Sequence, residues 1–537
     1  MNWIRKTFIL AHRYLGIVLS LMFLMWFLTG IGMIYSRGMP RLTPDVRLAR
    51  LSPLDLNRVQ LTLSEAAERA ELGDVPQRAA LLTVMDRPAY RFTDRGSVTV
   101  FADNGELLEG VDADQAKAIA GRFMRLPESQ MSYAGLIEES DQWTMTLARQ
   151  LPLHRISAND PSRTDLYVAP ATGEVVQVTT RGSRLLSWVS TIPHFLYFAP
   201  LRAKSELWWN LVVWTSALGC VLAFLGIVLG IWHSKFSRPF QWSRVSSYFP
   251  YTGWMRWHYI AGLVFGVFTL TWVFSGMLSM EPFEWSQRDG GFEFGLREAF
   301  PTGPAELPEF PALVAADWQN VLGERPIKEI EFARIMNKPH YIVRGGPDQT
   351  AEPGWPDGGH QPYYVMRGKD PVRRVIAANP FDIRQEPFSA AAITGRVKDA
   401  IPDVAITETQ LLTEYDYYYY SRDSQSPLPV VRVKLDDPNK TWLYVDPEVG
   451  QLAGQVNSGN RVERWLYNGL HSLDFPFWYY RRPVWDIGVI ILSLGGAMVS
   501  GIGLMLGIRR VRRGVKRAAQ TMDAPAEANP GEASRAV

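Results

Sequence analysis

Four long apolar stretches constrain the fold of this chain more than any other feature. Each reaches the roughly 20 residues with which an α-helix crosses a hydrocarbon core about 30 Å thick. The stretches cover residues 14–35, 207–232, 259–280 and 484–508. The first follows Arg5 and Lys6, as in a signal peptide, but its apolar run is too long and no small-residue cleavage site follows it. The sequence therefore predicts a polytopic α-helical membrane protein with four transmembrane helices.

Basic residues flank these stretches in a pattern that predicts their orientation. They precede the first stretch, separate the second from the third and follow the fourth: Arg5, Lys6, Arg13, Lys235, Arg238, Arg244, Arg256, Arg509, Arg510, Arg512, Arg513, Lys516 and Arg517. The positive-inside rule assigns such short basic segments to the cytoplasm. We therefore expect both chain termini to be cytoplasmic and the two long connecting segments to lie outside the membrane.

The stretches divide the chain into eight predicted segments. In chain order these are a cytoplasmic N-terminus with the first transmembrane helix (1–36), an external domain (37–206), the second helix (207–233), a cytoplasmic loop (234–257), the third helix (258–280), a second external domain (281–483), the fourth helix (484–508) and a basic tail (509–537). The end of the cytoplasmic tail, after Ala518, is rich in Ala, Pro, Glu and Gly, which is typical of a disordered segment.

The chain also repeats itself. One shift, which we call the long offset, aligns 166–233 with 443–510 without a gap, and His194 then falls on His471. A second shift, which we call the short offset, aligns the first stretch with the third, and His12 then falls on His258. Both copies enter the membrane in the same direction, so the four helices are predicted to form two parallel repeats.

The external regions have the pattern of α+β domains. Residues 63–70 predict a short helix with Ser64 as its cap, and residues 90–92, 98–101, 166–168 and 441–445 predict strands. The tyrosine-rich run 415–420 favours a strand with aromatic side chains on both faces, and the alternative is an aromatic platform for a ligand.

Five of the eight histidines lie at the predicted membrane boundaries, where an unpartnered polar side chain is costly. They are His12, His194, His233, His258 and His471. Imidazole is a common axial ligand of haem iron, and a helix bundle can enclose the apolar macrocycle. The duplication offers two facing pairs, His12 with His258 inside and His194 with His471 outside. Helix capping, contact with lipid headgroups and pairing with carboxylates are the alternatives for each of these histidines.

His233 differs from the other four because its repeat counterpart is Arg510. It is the alternative inner ligand, or it contacts a haem propionate. The remaining histidines, His154, His340 and His360, have no metal-ligand spacing, and we expect ordinary structural roles for them.

Several functional classes are excluded or disfavoured by the sequence. A single cysteine, Cys220, excludes an intramolecular disulfide and a cysteine-ligated cluster. The net charge of +2 argues against a nucleic-acid partner. Neither a dinucleotide-binding nor a P-loop motif is present, so a redox role needs a separate electron donor, either a quinol or a cytoplasmic reductase. The absence of acidic residues in the cores of the apolar stretches disfavours a proton-coupled permease.

Together these motifs resemble the PepSY-associated transmembrane family. The resemblance rests on the run from His12 to Gly16 that opens the first stretch, on a histidine placed shortly before the next stretch, and on the Gly-Ile-Trp-His sequence that ends at His233. The external helix, strands and LYV-x-P-x-x-G pattern are similar to the PepSY domain.

This resemblance implies an inner-membrane protein of bacteria with two periplasmic PepSY-like domains. It further implies haem b, in two copies, bound by the five boundary histidines, and reduction of ferric siderophores in the periplasm. The alternative from another class is a non-enzymatic PepSY membrane module that binds or regulates a periplasmic partner.

Overall fold

The computed structural model describes residues 2–36, 38–94, 96–234, 249–286, 300, 307–322, 326–345, 373–378, 381–383, 386–420 and 426–522. Three of the basic loop residues, His360 and the end of the predicted tail lie outside these ranges; the loop residues are Lys235, Arg238 and Arg244.

Within these ranges, four helices are long and apolar enough to cross a membrane, which confirms the four predicted stretches. We call them span 1 (Asn2–Ser36), span 2 (Ser205–His233), span 3 (Gly253–Leu278) and span 4 (Val484–Met522). Span 1 packs against spans 2 and 4, and span 3 packs against the same two helices. The four helices therefore form a bundle. Span 4 continues as a helix through the basic residues that follow its apolar part.

Glycines allow the spans to approach one another closely. A Cβ atom at Gly219 would lie 2.7 Å from the Phe23 ring, and one at Gly496 would lie 2.4 Å from the Phe27 ring. Both phenylalanines belong to span 1 and are nearly fully buried. Larger side chains at these two glycines would push span 1 away from its neighbours.

The described residues outside the bundle form fifteen strands in three antiparallel sheets. In chain order they are β1 (Arg78–Val84), β2 (Arg87–Thr93), β3 (Ser97–Phe101), β4 (Met131–Ile137), β5 (Leu153–Ala158), β6 (Asp165–Ala169), β7 (Glu174–Thr179), β8 (Ile327–Ile335), β9 (Lys338–Gly345), β10 (Arg373–Ala378), β11 (Phe381–Ile383), β12 (Ile406–Leu412), β13 (Val430–Leu435), β14 (Trp442–Asp446) and β15 (Gln451–Val456). All four predicted strands are confirmed within this set.

The largest sheet contains strands from both external regions. Its order is β11-β10-β9-β8-β1-β2-β3, so β1 and β8 join the two halves of the chain. In that antiparallel pair Ala80 lies opposite Glu331. Five positions further along each half, Met85 and Met336 both have positive φ in the turns that follow β1 and β8. The pairing of β1 with β8 therefore joins equivalent positions of the two regions.

The other two sheets are built alike. One has the order β4-β5-β6-β7 and packs against the helix Ala113–Met124, and the other has the order β12-β13-β14-β15 and packs against the helix Ala390–Ala400. Gly173 and Gly450 occupy matching turns with φ of +62° and +60°, a conformation that suits glycine. The long offset places β5, β6 and β7 on β13, β14 and β15 with matching first residues.

The remaining short helices lie before, between and after these elements. They are Pro44–Arg50, Leu63–Arg69, Arg181–Val189, Thr191–Phe195, Ala199–Arg202, Ala315–Leu322, Ser458–Glu463, Leu470–Ser472 and Pro476–Tyr479, with a π-helical turn at Arg464–Gly469 and 3₁₀ turns at Leu56–Arg58, Glu128–Gln130, Met145–Gln150, Pro282–Glu284 and Leu307–Glu309.

A buried ionic cluster lies at the joint between β1 and β8. The Glu329 carboxylate accepts hydrogen bonds from Arg47 at 2.9 Å, and from Arg78 and Arg344 at 2.7 Å each. Its side chain is only 2% exposed. Burial by itself raises the pKa of a carboxyl group, but the three guanidinium groups outweigh it and lower the pKa of Glu329 to about 2.

Two local predictions were wrong. The helix Leu63–Arg69 is capped by Thr62, because Thr62 and Glu65 form a reciprocal capping box, and not by Ser64. The tyrosine run 415–420 follows β12 as a turn and is not a strand. The Asp416 carboxylate accepts hydrogen bonds from the backbone N–H groups of Tyr418 and Tyr419, at 2.8 and 2.7 Å, which bends the backbone.

Candidate functional site

Two of the predicted histidines meet inside the bundle near one end of the spans. His12 of span 1 and His258 of span 3 have ring centroids 6.4 Å apart. The Nδ1–H group of His12 donates a hydrogen bond to the backbone carbonyl of Leu222 at 3.1 Å, and that of His258 donates to Val499 at 3.1 Å. We call His12 and His258 the inner pair.

The other two matched histidines meet near the opposite end of the bundle. His194 lies in the helix Thr191–Phe195, His471 lies in the helix Leu470–Ser472, and their ring centroids are 6.2 Å apart. These short helices precede spans 2 and 4, so both histidines reach the bundle from its end. We call His194 and His471 the outer pair.

Hydroxyl groups from the spans hold the outer pair. The Thr29 oxygen lies 3.1 Å from Nδ1 of His194, and the Ser275 oxygen lies 3.2 Å from Nδ1 of His471. The backbone carbonyl of Trp272 also accepts a hydrogen bond from Nδ1 of His471, at 3.1 Å. Thr29 donates its own proton to the Met25 carbonyl, so its oxygen accepts the His194 proton. Sequence reasoning missed both hydroxyl residues. The short offset, which relates spans 1 and 3, places Thr29 on Ser275, and this match within apolar helices is the signal that could have found them.

Each histidine ring lies against a glycine of a span. A Cβ atom would lie 2.8 Å from Cε1 of His12 at Gly226, and 3.3 Å from Cε1 of His258 at Gly503. For the outer pair, a Cβ atom would lie 3.7 Å from Cε1 of His194 at Gly30 and 3.2 Å from Cε1 of His471 at Gly276. The close contacts at Gly226, Gly276 and Gly503 explain why these positions carry no side chain.

The geometry of both pairs suits two imidazoles that bind one metal ion from opposite sides. A metal–imidazole nitrogen bond of about 2 Å on each side holds the two ring centroids about 6 Å apart. All four Nδ1 atoms are engaged in hydrogen bonds. The ligand atom available on each ring is therefore Nε2, through its lone pair. Hydrogen bonds of this kind, from the non-ligating nitrogen, are typical of metal-bound histidines.

The number of protein ligands favours a metal that arrives with most of its coordination already filled. Among the residues that the structure describes, no group of three or more His, Cys, Asp or Glu side chains could hold a bare ion. Zinc takes at least three protein ligands, whereas haem iron needs only one or two axial ligands. The indole nitrogen of Trp272 is buried in the bundle without a partner among those residues, so the interior retains a hydrogen-bond donor for a bound group.

The described contacts of the fifth predicted ligand are with Leu229 and Tyr251. His233, at the end of span 2, donates its Nδ1–H to the carbonyl of Leu229 at 2.8 Å, and its ring lies 6.0 Å from that of Tyr251. Its repeat counterpart Arg510 is exposed. In the external sheets His154 bonds to Val111 and Tyr133, and His340 bonds to Lys338.

The two pairs are separated by approximately the thickness of a bilayer. Gly30, which contacts His194, lies 18 residues after His12 on span 1, and a helix rises about 1.5 Å per residue, which gives about 27 Å. Aromatic side chains fill the bundle between the pairs: Phe23, Trp26, Phe27 and Trp272, with neighbouring centroids 5.9 Å apart within Phe23–Trp26 and Phe27–Trp272.

Aromatic and ionic contacts connect the outer pair to the tyrosine run. The Tyr467 ring lies 5.4 Å from His471, and Trp465 on the same π-helical turn lies 5.9 Å from Tyr417. Arg464 forms a buried ion pair with Asp474 at 3.4 Å. Sequence reasoning missed the contact of Trp465 with Tyr417 because these residues are far apart in the chain, and it missed the other two because it did not predict the π-helical turn.

Four membrane-spanning helices with paired histidines between them, joined to β-sheets, define a multi-pass membrane protein with candidate metal-binding positions in its bundle. The family comparison agrees with this class. The family model described as the PepSY-associated TM region matches residues 9–319, more than half of the 537 residues, so the chain belongs to that family. Comparison with curated proteins gives no match.

Proposed function

We propose that this chain is a b-type haem protein of the bacterial inner membrane that passes electrons outward across the bilayer to a ferric siderophore or a similar iron complex. The observation that carries the proposal is the pair of facing imidazoles at each end of the bundle, with centroids 6.4 and 6.2 Å apart and every Nδ1 engaged in a hydrogen bond. The inner pair would hold one haem and the outer pair a second.

Haem, when bound, supplies one-electron transfer at its iron. The residues of this chain have the tasks of ligation, orientation and exclusion of water. The carbonyls of Leu222 and Val499 keep the proton of the inner imidazoles on Nδ1, so Nε2 is available as a ligand. Thr29 and Ser275 do the same for the outer pair. His233 then serves as a neighbour of the inner site and not as a ligand.

The proposal includes an orientation and a duplicated architecture. Both termini would be cytoplasmic, with the inner pair near the cytoplasm and two PepSY-like domains in the periplasm. The positive-inside pattern supports the orientation. The long offset shared by strands β5, β6 and β7 with β13, β14 and β15 supports the duplication, as do the matched histidine contacts.

Reduction of the iron complex would take place at the external surface near the outer pair. Each ferric ion accepts one electron and becomes ferrous, which weakens its complex with hard oxygen ligands. Tyr417 is 58% exposed and contacts Trp465, on the π-helical turn that leads into the helix of His471. This exposed aromatic surface is one on which a large polar complex can rest beside the outer pair.

The test is the haem content and the dithionite-reduced spectrum of the purified protein and three variants. His258→Ala should lose about half of the haem, and His471→Ala should lose the other half. His233→Ala is the matched control, a boundary histidine outside both pairs, and should retain all of it. Added ferric siderophore should reoxidise the reduced wild-type protein.

Two outcomes would overturn the proposal. If His233→Ala loses half of the haem while His258→Ala keeps it all, the inner pairing is wrong. If the wild-type protein contains no haem, the chain is better described as a non-enzymatic PepSY membrane module that binds or regulates a periplasmic partner.

A further inference from the structure

A pocket opens on the outer surface of the bundle between spans 3 and 4. Its volume is about 480 Å³, and it is lined by Trp254, Trp257, Met498, Gly501 and Ile502. Trp254 and Trp257 are 50% and 56% exposed, so the pocket faces the lipid. It is an open, almost wholly apolar depression and not an enclosed cavity, so a ligand there would keep one face in the lipid.

The pocket lies at the depth of the inner pair. Trp257 immediately precedes His258 on span 3. On span 4, Gly501 lies two residues before Gly503, where an added Cβ atom would be 3.3 Å from the His258 ring. The pocket is therefore at the depth of the inner pair, on other faces of spans 3 and 4 than those that carry the contacts with His258.

The corresponding surface of the other half of the bundle has phenylalanine at two of the pocket positions and Ala11 at the position of Trp257. By the short offset Phe8 corresponds to Trp254, and by the long offset Phe224 corresponds to Gly501. Phe8 stacks on Trp232 with ring centroids 5.5 Å apart, and the counterpart of Trp232 is Arg509. The pocket thus depends on a glycine at a position where the other half has a phenylalanine.

We propose that this pocket binds a membrane quinol, and that the quinol is the electron donor of the inner site. This inference rests on the proposed function. The opening faces the bilayer, so its ligand must be soluble in lipid, and the flat indole rings suit a planar quinone ring. The indole N–H groups of Trp254 and Trp257 have no partner among the hydrogen bonds of the described part of the chain, and an indole N–H is the kind of donor that a quinone oxygen accepts.

The electrons of the proposed quinol oxidation are taken up by the ferric complex, so the reaction balances. One quinol becomes one quinone and releases two electrons and two protons. The electrons leave one at a time through the inner site, and each finally reduces one ferric ion of the external complex. The protons pass to water at the membrane surface where span 3 begins, next to Trp254.

Gly501→Phe gives a direct test because it introduces the side chain found at Phe224. Among the described residues, the only neighbour within 4 Å of a Cβ atom at Gly501 is Leu24 of span 1, at an ordinary contact distance of 3.9 Å, so a Cβ atom fits at this position. Ile491→Phe is the matched control, since Ile491 is a lipid-facing residue of the same helix, 55% exposed. Trp257→Leu is a second variant that removes an aromatic wall without filling the pocket.

The measurements are equilibrium binding of decylubiquinone to the purified protein, the site labelled by a photoreactive azidoquinone, and anaerobic reduction by decylubiquinol. We expect Gly501→Phe to weaken quinone binding and slow quinol-driven reduction at least tenfold, with labels on spans 3 and 4 in the wild type. Haem content and reduction by dithionite should be unchanged. Ile491→Phe should behave as the wild type.

Unchanged binding in both Gly501→Phe and Trp257→Leu would overturn the quinol site, as would labels on other helices only. A pocket that retains a phospholipid chain which decylubiquinone does not displace would also overturn it. Failure of the proposed function is distinguishable, because it appears as a protein without haem, whereas quinone binding and labelling are measured independently of haem.

Discussion

The contacts between glycines and histidines predict how much an added methyl group at each glycine weakens haem binding: the shorter the contact with the ring, the larger the loss of affinity. Gly226→Ala adds a methyl group 2.8 Å from Cε1 of His12, whereas Gly30→Ala adds the same group 3.7 Å from Cε1 of His194. The shorter of these two distances is far inside van der Waals contact, and the longer is an ordinary contact. Both glycines lie within helices, so replacement by alanine raises the helix propensity by a similar amount at each position. The two variants therefore differ mainly in the contact of the added methyl group with the histidine ring.

The expected magnitude follows from the cost of overpacking. An extra methyl group in a packed interior costs about 1–3 kcal/mol. If His12 moves away to relieve that strain, the affinity of the inner site falls by roughly 5- to 150-fold, since about 1.4 kcal/mol corresponds to a factor of ten. Gly276→Ala and Gly503→Ala, with distances of 3.2 and 3.3 Å, should give intermediate losses.

The assay is a titration of each purified apoprotein with haem, followed by absorbance and by the electron paramagnetic resonance signal of low-spin iron. Gly226→Ala should show one weakened site of two, and Gly30→Ala should titrate as the wild type. Equal affinities in the two variants, or a greater loss in Gly30→Ala, would refute the reasoning that these glycines make room for ligating imidazoles.

Two further predictions concern the hydrogen bonds of the outer pair and the ionic cluster. Thr29→Val should lower outer-site haem affinity about 10- to 100-fold, because it removes the hydroxyl partner of a ring proposed as a ligand. Ser275→Ala should give a smaller loss, because the Trp272 carbonyl still accepts a hydrogen bond from Nδ1 of His471; Thr215→Val, a lipid-side hydroxyl of span 2, is the control, and unchanged affinity in Thr29→Val would contradict the assignment. The pKa of Glu329 falls from its usual 4.5 to about 2 on folding, so its stabilisation is complete above pH 4.5 and is lost as the pH falls towards 2. That contribution is about 3 kcal/mol at neutral pH; Glu329→Gln should lower the thermal unfolding temperature at pH 7 and flatten its dependence between pH 5 and 2, and an unaltered pH profile would refute the role of the carboxylate.

The sequence was sufficient to predict those features that depend on composition or on spacing along the chain. Apolar length predicted the four spans, and the short and long offsets indicated which histidines would correspond. His12 and His258 do lie together, as do His194 and His471. Whether these pairs bind haem stays a prediction.

The sequence alone could not predict contacts between distant segments. The pairing of β1 with β8 joins strands from opposite halves of the chain, and strand patterns indicate which face is buried but not which strand is the neighbour. The tyrosine run was mistaken for a strand because β-propensity is high for tyrosine, whereas the turn depends on a single carboxylate, Asp416. Likewise, the contact of the His233 ring with Tyr251 depends on how the chain continues after span 2.

Because each histidine pair and the joined sheet take one partner from each half of the chain, the order of synthesis limits when they can form. His258 leaves the ribosome long after His12, with a delay on the order of 10–50 s at about 5–20 residues per second. During that interval His12 is in the membrane without its counterpart, and the edge of β1 has no β8 to pair with. Pairing of the histidines and closure of the seven-stranded sheet are therefore late events in biogenesis, and a chain truncated before span 3 should be a substrate for quality-control proteases.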